Sequence, residues 1–207
     1  MVRLKTWFGA LIFLMTAVLP MQSQAQLYAK GAPPGSAFVR VLNGTAAQSP
    51  SGFIGETAQP ALPAFTAGQF IFLPPGDYPV QLGSRKETFK LEADRFYSIA
   101  YLPDSMRSFQ LEGFKSQLKA MVIMMNLLPD KTLSLKTADG KVTVLDAIAP
   151  FKAGQREINP LSVSLGLFDG DKKIIDVPAA TFERGKASSL IVGGTSTVPI
   201  LAWDEQK

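Results

Sequence analysis

Leu161-Ser162-Val163-Ser164-Leu165-Gly166-Leu167 alternates aliphatic residues with small ones, and Asp169-Gly170 follows. A period of two marks a strand with one buried face. Asp-Gly supplies the positive φ angles of a tight hairpin turn, so Lys173 to Val177 reads as the returning strand. The pattern extends toward the N-terminus. Thr132 to Thr137 alternates, and Asp139-Gly140 predicts a two-residue turn into Val142-Thr143-Val144-Leu145. In the first half, Phe38-Val39-Arg40-Val41 is apolar on both faces and predicts a central strand. Gln69 to Leu73 runs into the turn signal Pro74-Pro75-Gly76-Asp77, after which Tyr78 to Leu82 resumes a β pattern. Phe89 and Leu91 alternate with Thr88, Lys90 and Glu92, and Phe96 to Leu102 is a further apolar strand. Thr197 to Trp203 closes the series. Beyond the first 25 residues no amphipathic helical pattern interrupts it, so the fold class is all-β.

The halves resemble each other. Ala37-Phe38-Val39-Arg40-Val41-Leu42-Asn43 matches Ala120-Met121-Val122-Ile123-Met124-Met125-Asn126 at an offset of 83. Phe65-Thr66-Ala67-Gly68-Gln69 matches Phe151-Lys152-Ala153-Gly154-Gln155 at 86, and Glu92 to Ile99 loosely matches Glu183 to Leu190 at 91. Three matches in one order predict two copies of one small β-sandwich. The expected domains are 36–112 and 119–207, joined by a linker at 113–118 and preceded by an extended segment at 26–35.

Arg3 and Lys5 stand before an uncharged apolar run from Trp7 to Leu19, which is too short to span a bilayer comfortably. Ser23-Gln24-Ala25 places small residues where a signal peptidase reads. Residues 1–25 are therefore expected to be a cleaved signal peptide, with the cut between Ala25 and Gln26. The sequence has 21 Lys+Arg against 17 Asp+Glu. Cleavage removes two of the basic residues and no acidic one, so the exported chain is nearly neutral and carries no nucleic-acid signature.

There is no histidine and no cysteine in 207 residues. That excludes a Ser-His-Asp triad, a Cys-His pair, and His- or Cys-ligated zinc, haem or iron–sulfur centres. It also excludes disulfides, so stability must come from apolar burial. Ser116-Gln117-Leu118-Lys119 has Ser-x-x-Lys spacing but falls in the linker. Asp169-Gly170-Asp171 with Asp176 offers carboxylates to a cation, yet Lys172-Lys173 follows at once and no full calcium loop is present. The remaining acids are scattered singly, unlike the paired carboxylates of glycoside chemistry. The sequence assigns no catalytic, cofactor-binding or metal-ligating residue and calls for no cofactor.

Binding is a better fit than catalysis. Tyr78, Tyr97 and Tyr101 fall in strands and are expected in the core, which leaves Tyr28 and Trp203 as other aromatic candidates for sugar contact. Arg85, Lys86, Lys90, Arg95 and Arg107 cluster, but Glu87, Glu92, Asp94 and Asp104 interleave, so a solvated mixed-charge face is expected. Met121 to Met125 is apolar all round, as for core or for an adaptable partner surface. Leu27 to Ser36 is extended and can pack on a sheet edge or meet a partner.

These residues also resemble a family. Leu27-Tyr28 with Ala32-Pro33-Pro34-Gly35-Ser36-Ala37-Phe38-Val39-Arg40-Val41 is similar to the mature start of the alginate O-acetylation family AlgF. Phe72-Leu73-Pro74-Pro75-Gly76-Asp77-Tyr78 resembles its next recognisable stretch. Arg156-Glu157-Ile158-Asn159-Pro160-Leu161-Ser162-Val163-Ser164-Leu165 with Leu167-Phe168-Asp169-Gly170 resembles a third, and Thr137 to Lys141 also fits. Gly44 to Ala61 and the C-terminal tail carry no match. The resemblance implies a periplasmic protein of the bacterial alginate pathway, needed for O-acetylation of mannuronate at O-2 and/or O-3. It implies as partners a membrane-bound O-acyltransferase and periplasmic SGNH-type acetyltransferases. The family has no established catalytic residues to carry over. An SGNH enzyme needs a histidine and a membrane acyltransferase needs spanning helices; the sequence has neither. The expectation is a non-catalytic adaptor. The alternatives are a carbohydrate-binding module that grips alginate directly and an acetyltransferase of unusual chemistry.

Overall fold

Alternation along Ala37–Asn43 puts Ala37, Val39 and Val41 on one face and Phe38, Arg40 and Leu42 on the other, and all but Phe38 are buried. A strand wanted on both faces sits between two layers, and this one does. The computed structural model describes residues 31–195 and 197–206; the expected signal peptide and the Ala25/Gln26 cleavage point lie outside them. Ala32–Lys207 forms one compact unit.

The described residues contain no helix. The first half holds β1 (Ala37–Asn43), β2 (Gly52–Ile54), β3 (Thr57–Gln59), β4 (Ile71–Leu73), β5 (Gly76–Leu82), β6 (Arg85–Leu91), β7 (Arg95–Tyr101) and β8 (Met106–Glu112). The second holds β9 (Ala120–Asn126), β10 (Leu133–Thr137), β11 (Thr143–Ile148), β12 (Ala153–Ile158), β13 (Leu161–Asp169), β14 (Lys172–Phe182), β15 (Ala187–Gly194) and β16 (Pro199–Gln206). Each half is two four-stranded sheets, β4-β1-β7-β8 with β3-β2-β5-β6, and β12-β9-β15-β16 with β11-β10-β13-β14. Subtracting eight from each label in the second half reproduces the first. The protein is thus two β-sandwiches of one topology.

The internal matches found in the sequence coincide in space. β1 and β7 pair in parallel with Arg40 opposite Ser98; β9 and β15 pair in parallel with Ile123 opposite Ser189. Those positions are related by the offsets of 83 and 91. Gly44 N–H donates to Tyr101 O at 2.9 Å, and Leu127 N–H repeats that bond to Val192 O at 2.8 Å.

Each sandwich has its own core. Val39, Ile99, Ile54 and Val80 meet inside the first, and Val122, Leu190, Leu135 and Leu167 inside the second. A third apolar layer lies between the sandwiches. Leu42, Ala100 and Phe109 on the outer face of the first meet Met121, Ile123, Met125 and Ile191 on the outer face of the second. The methionine-rich run is therefore core on both faces. The partner surface considered for it is buried against the other half of the same chain.

Several details differ from the sequence reading. β4 has only three residues, and β5 begins at Gly76, so Pro74 and Pro75 alone separate them. Asp139-Gly140 is not a two-residue turn. Thr137 N–H donates to Val142 O across a four-residue loop, because Asp139 Oδ1 accepts from both Thr137 Oγ1 and Lys141 N–H. Leu165 and Leu167 are buried as expected, but Leu161 is 42% exposed. β13 runs past β10, whose pairing stops at Leu165, and its first residues overhang the core with only β14 beside them. β14 continues past Val177 to Phe182, carrying Pro178 at the sheet edge where a missing N–H is tolerated.

Candidate functional site

Two buried asparagines build the end of the molecule where the sandwiches open. Asn43 ends β1, and its Nδ2 donates to the carbonyls of Ala47, Leu62 and Pro63. Asn126 ends β9, and its Nδ2 donates to the carbonyls of Lys131, Ile148 and Ala149. Each Oδ1 takes a backbone N–H two residues on, from Thr45 and Leu128 respectively. Two donors and one carbonyl per amide pin two loops in each half. The pinned loops hold Phe65 and Phe151, equivalent residues at φ 52° and 53°. An aromatic residue in the left-handed region is strained by about 1–3 kcal/mol and persists only where packing fixes it. Phe65 packs on the backbone of Gly193, where a Cβ would collide with its ring.

Between these loops lies a cleft of about 570 Å³, within the range of about 300–1,000 Å³ usual for ligand pockets. Both halves line it at equivalent positions: Phe65 with Phe151, Leu102 with Gly193, and Asp104 with Thr195. The chemistry of the two sides differs. The first half contributes the polar and charged side chains of Thr45, Asp104, Ser105 and Arg107, while the second contributes Leu127, Pro129, Phe151, the backbone of Gly193 and Gly194, and Thr195. Arg107 lies over the Phe151 ring, its guanidinium carbon 4.2 Å from the centroid. It is exposed and forms no ion pair with the described residues.

A second polar feature sits inside the inter-sandwich layer. Arg40 is 2% exposed; Nε donates to Ser98 Oγ at 2.9 Å and Nη1 to Asp204 Oδ2 at 2.5 Å. Its guanidinium stacks over Phe70 at 4.5 Å. Nη2 is buried without a partner among the described residues. Ile123 occupies the matching place in the second half, so the ion pair replaces an apolar contact. It links the first strand of one sandwich to the last strand of the other.

The residues singled out from sequence are spread across the fold. Ser116 Oγ accepts the N–H groups of Leu118 and Lys119, while Lys119 Nζ turns away to Asn159 Oδ1 at 2.6 Å. Asp169 pairs with Lys131 at 2.5 Å, Asp171 with Lys136 at 3.4 Å, and Asp176 with Lys173. Three carboxylates on three different lysines do not converge on one point. Tyr97 is buried, Tyr78 and Tyr101 pack against the first core, and Trp203 donates to Pro178 O at 2.9 Å while meeting Phe182 edge-on. Of the basic cluster, Arg85 holds the carbonyls of Leu102 and Pro103 and stacks on Tyr101, and Arg95 pairs with Glu112. Lys86 and Lys90 are exposed on β6. Only Arg107 reaches the cleft. Tyr28 lies outside the described residues. Asp139 is held below the ordinary carboxylate value, first by the Thr137 hydroxyl and then by the Lys141 N–H.

The internal repeat pairs Asn43 with Asn126 and Phe65 with Phe151. An identical amide ending the matched strands Ala37–Asn43 and Ala120–Asn126 was the available signal.

Fold and site together define a duplicated all-β protein whose two sandwiches share an apolar seam and a cleft at its end. The chain belongs to the AlgF family: the family model described as "Alginate O-acetyl transferase AlgF" matches residues 10–189. It is 40% identical over 178 residues to the alginate biosynthesis protein AlgF of Pseudomonas syringae pv. tomato, covering 86% of this chain and 79% of that one. It is 38% identical over 207 residues to the alginate biosynthesis protein AlgF of Pseudomonas aeruginosa, covering 98% and 95%. Among solved structures, the C-terminal domain of AlgF from P. aeruginosa matches with 42% identity and a TM-score of 0.39, covering 43% of this chain and 99% of that one. The N-terminal domain matches with 27% identity and a TM-score of 0.33, covering 39% and 95%.

Proposed function

We propose that this protein is a periplasmic, non-catalytic adaptor for O-acetylation of alginate, holding acetyl-transfer enzymes together rather than transferring acetyl groups itself. Membership of the AlgF family supports the pathway. One observation carries the non-catalytic part: neither histidine nor cysteine occurs anywhere in the chain. Acyl transfer needs an activated nucleophile and a base close to it. The surviving candidate, Ser116 with Lys119, has its hydroxyl engaged by backbone N–H groups and its ammonium on Asn159. The partners on this reading are the membrane-bound O-acyltransferase and the periplasmic SGNH-type acetyltransferases.

Deleting the gene and measuring the ester content of the secreted polymer tests the role. The expected result is polymer of normal yield with little or no acetyl, and no acetyl transfer from an acetyl donor to oligomannuronate by the purified protein. Turnover that survives purification and vanishes on a single Ser→Ala change would overturn the non-catalytic reading.

A further inference from the structure

The cleft between the sandwiches has features that the pathway assignment leaves unused. It is walled by Phe65, Leu102, Leu127 and Phe151, so its interior is apolar. At its rim Arg107 sits over Phe151 and pairs with no carboxylate of the described residues. A guanidinium fixed on an aromatic face has given up part of its rotamer freedom already, so an incoming carboxylate meets an organised fork of donors. Gly193 lets the Phe65 ring sit directly against its backbone, which fixes that wall of the cleft.

We propose that this cleft is a docking pocket for a peptide segment of an acetylation partner, one that carries a Glu or Asp carboxylate beside an aliphatic side chain. The aliphatic group fills the apolar interior and the carboxylate pairs with Arg107. The inference rests on the adaptor reading and adds to it a place and a ligand chemistry. Charge decides between peptide and polymer. A polyuronate presents a carboxylate on every ring and calls for a row of cations. Among the described residues Arg107 is the one basic residue lining the cleft, and Asp104 at the same rim repels a second anion. One carboxylate on an apolar peptide suits that pair of charges, and a chain of carboxylates does not.

The test is an amide-shift titration of the purified exported protein with two capped tetrapeptides, Ac-Ala-Leu-Glu-Ala-NH2 and the same peptide with Gln for Glu. The expected result is saturable shifts confined to Leu102–Arg107 and Gly193–Thr195, with the Gln peptide at least fivefold weaker. Arg107→Glu should weaken the Glu peptide at least tenfold and instead favour the peptide with Lys at that position. Arg107 is exposed, so the fold tolerates the change. Equal binding of the Glu and Gln peptides, shifts elsewhere, or no response to Arg107→Glu overturns the proposal. So does oligomannuronate saturating the cleft when the peptides do not. Retention of acetylation enzymes on the tagged protein separates the two levels. If wild type and Arg107→Glu both retain them alike, the cleft proposal fails and the adaptor reading stands. If wild type retains none, the adaptor reading itself fails.

Discussion

Asn43 and Asn126 carry the same load in the two halves, each amide tying three loop carbonyls and one backbone N–H to a buried strand end. A net intramolecular hydrogen bond contributes about 0.5–1.5 kcal/mol, and each amide makes several. Asn126→Ala should therefore destabilise the second sandwich by about 2–4 kcal/mol, read as a lower urea midpoint with an unchanged slope; a loss below about 1 kcal/mol would show that water replaces the amide. Arg40 poses a different balance. Its guanidinium is buried and leans on Asp204, which is part-exposed. Removing one member of a buried pair strands the other charge at about 3–5 kcal/mol, whereas replacing both with apolar groups is often neutral. Asp204→Asn is expected to destabilise the protein, and Arg40→Ile with Asp204→Leu to recover most of the loss, Ile being what the second half uses at Ile123. Equilibrium unfolding of the single and double variants checks this, and a double variant no better than Asp204→Asn contradicts it.

Strands announced themselves wherever one face was wet. Phe89 and Leu91 turn inward between exposed Lys86, Thr88 and Lys90, and the alternation is plain. It fails for strands covered on both sides. Ala187–Gly194 is buried at seven of its eight positions and reads as a small-residue run, because it sits between the second core and the inter-sandwich layer. Ala153–Ile158 has the composition of a loop and is a strand only because β9 lies alongside. The cleft was less legible still. Its residues range from Gly44 to Thr195 and meet only when the two sandwiches pack, although the repeat already contained Phe65 and Phe151. Position along β13 gives a sharp prediction. Leu165→Asp buries a charge in the second core and should unfold that sandwich, while Leu161→Asp, on the overhang, should cost less than about 1 kcal/mol. Circular dichroism melts of the two variants distinguish them, and similar melts would refute the overhang. The 138–141 loop carries a pH dependence. Asp139 has a depressed value, so its stabilisation is full above the ordinary carboxylate range and is lost as pH falls through the depressed value. The protection factor of the Lys141 amide, its exchange corrected for the intrinsic pH dependence, should fall in that acidic window and hold constant between pH 5 and 8; a protection factor unchanged through acid would remove the carboxylate from the account.

The seam between the sandwiches is apolar and continuous, from Leu42 and Phe109 on one side to Ile123 and Met125 on the other. Such a seam holds the two halves in one relation and fixes the cleft at its end. Expressed separately, residues 26–118 and 119–207 should each give a β-type spectrum and form an equimolar complex when mixed, with Ile123→Asp preventing association; two unfolded halves, or folded halves that ignore each other, would contradict a shared seam. A rigid duplicated scaffold without histidine or cysteine is suited to presenting surfaces, and the central claim is that it acts through what it holds. The direct measurement is retention. The tagged protein, drawn from cells that are acetylating their polymer, is expected to bring with it the membrane acyltransferase or an SGNH-type acetyltransferase in stoichiometric amount. Recovery of the protein alone from those cells would contradict the account.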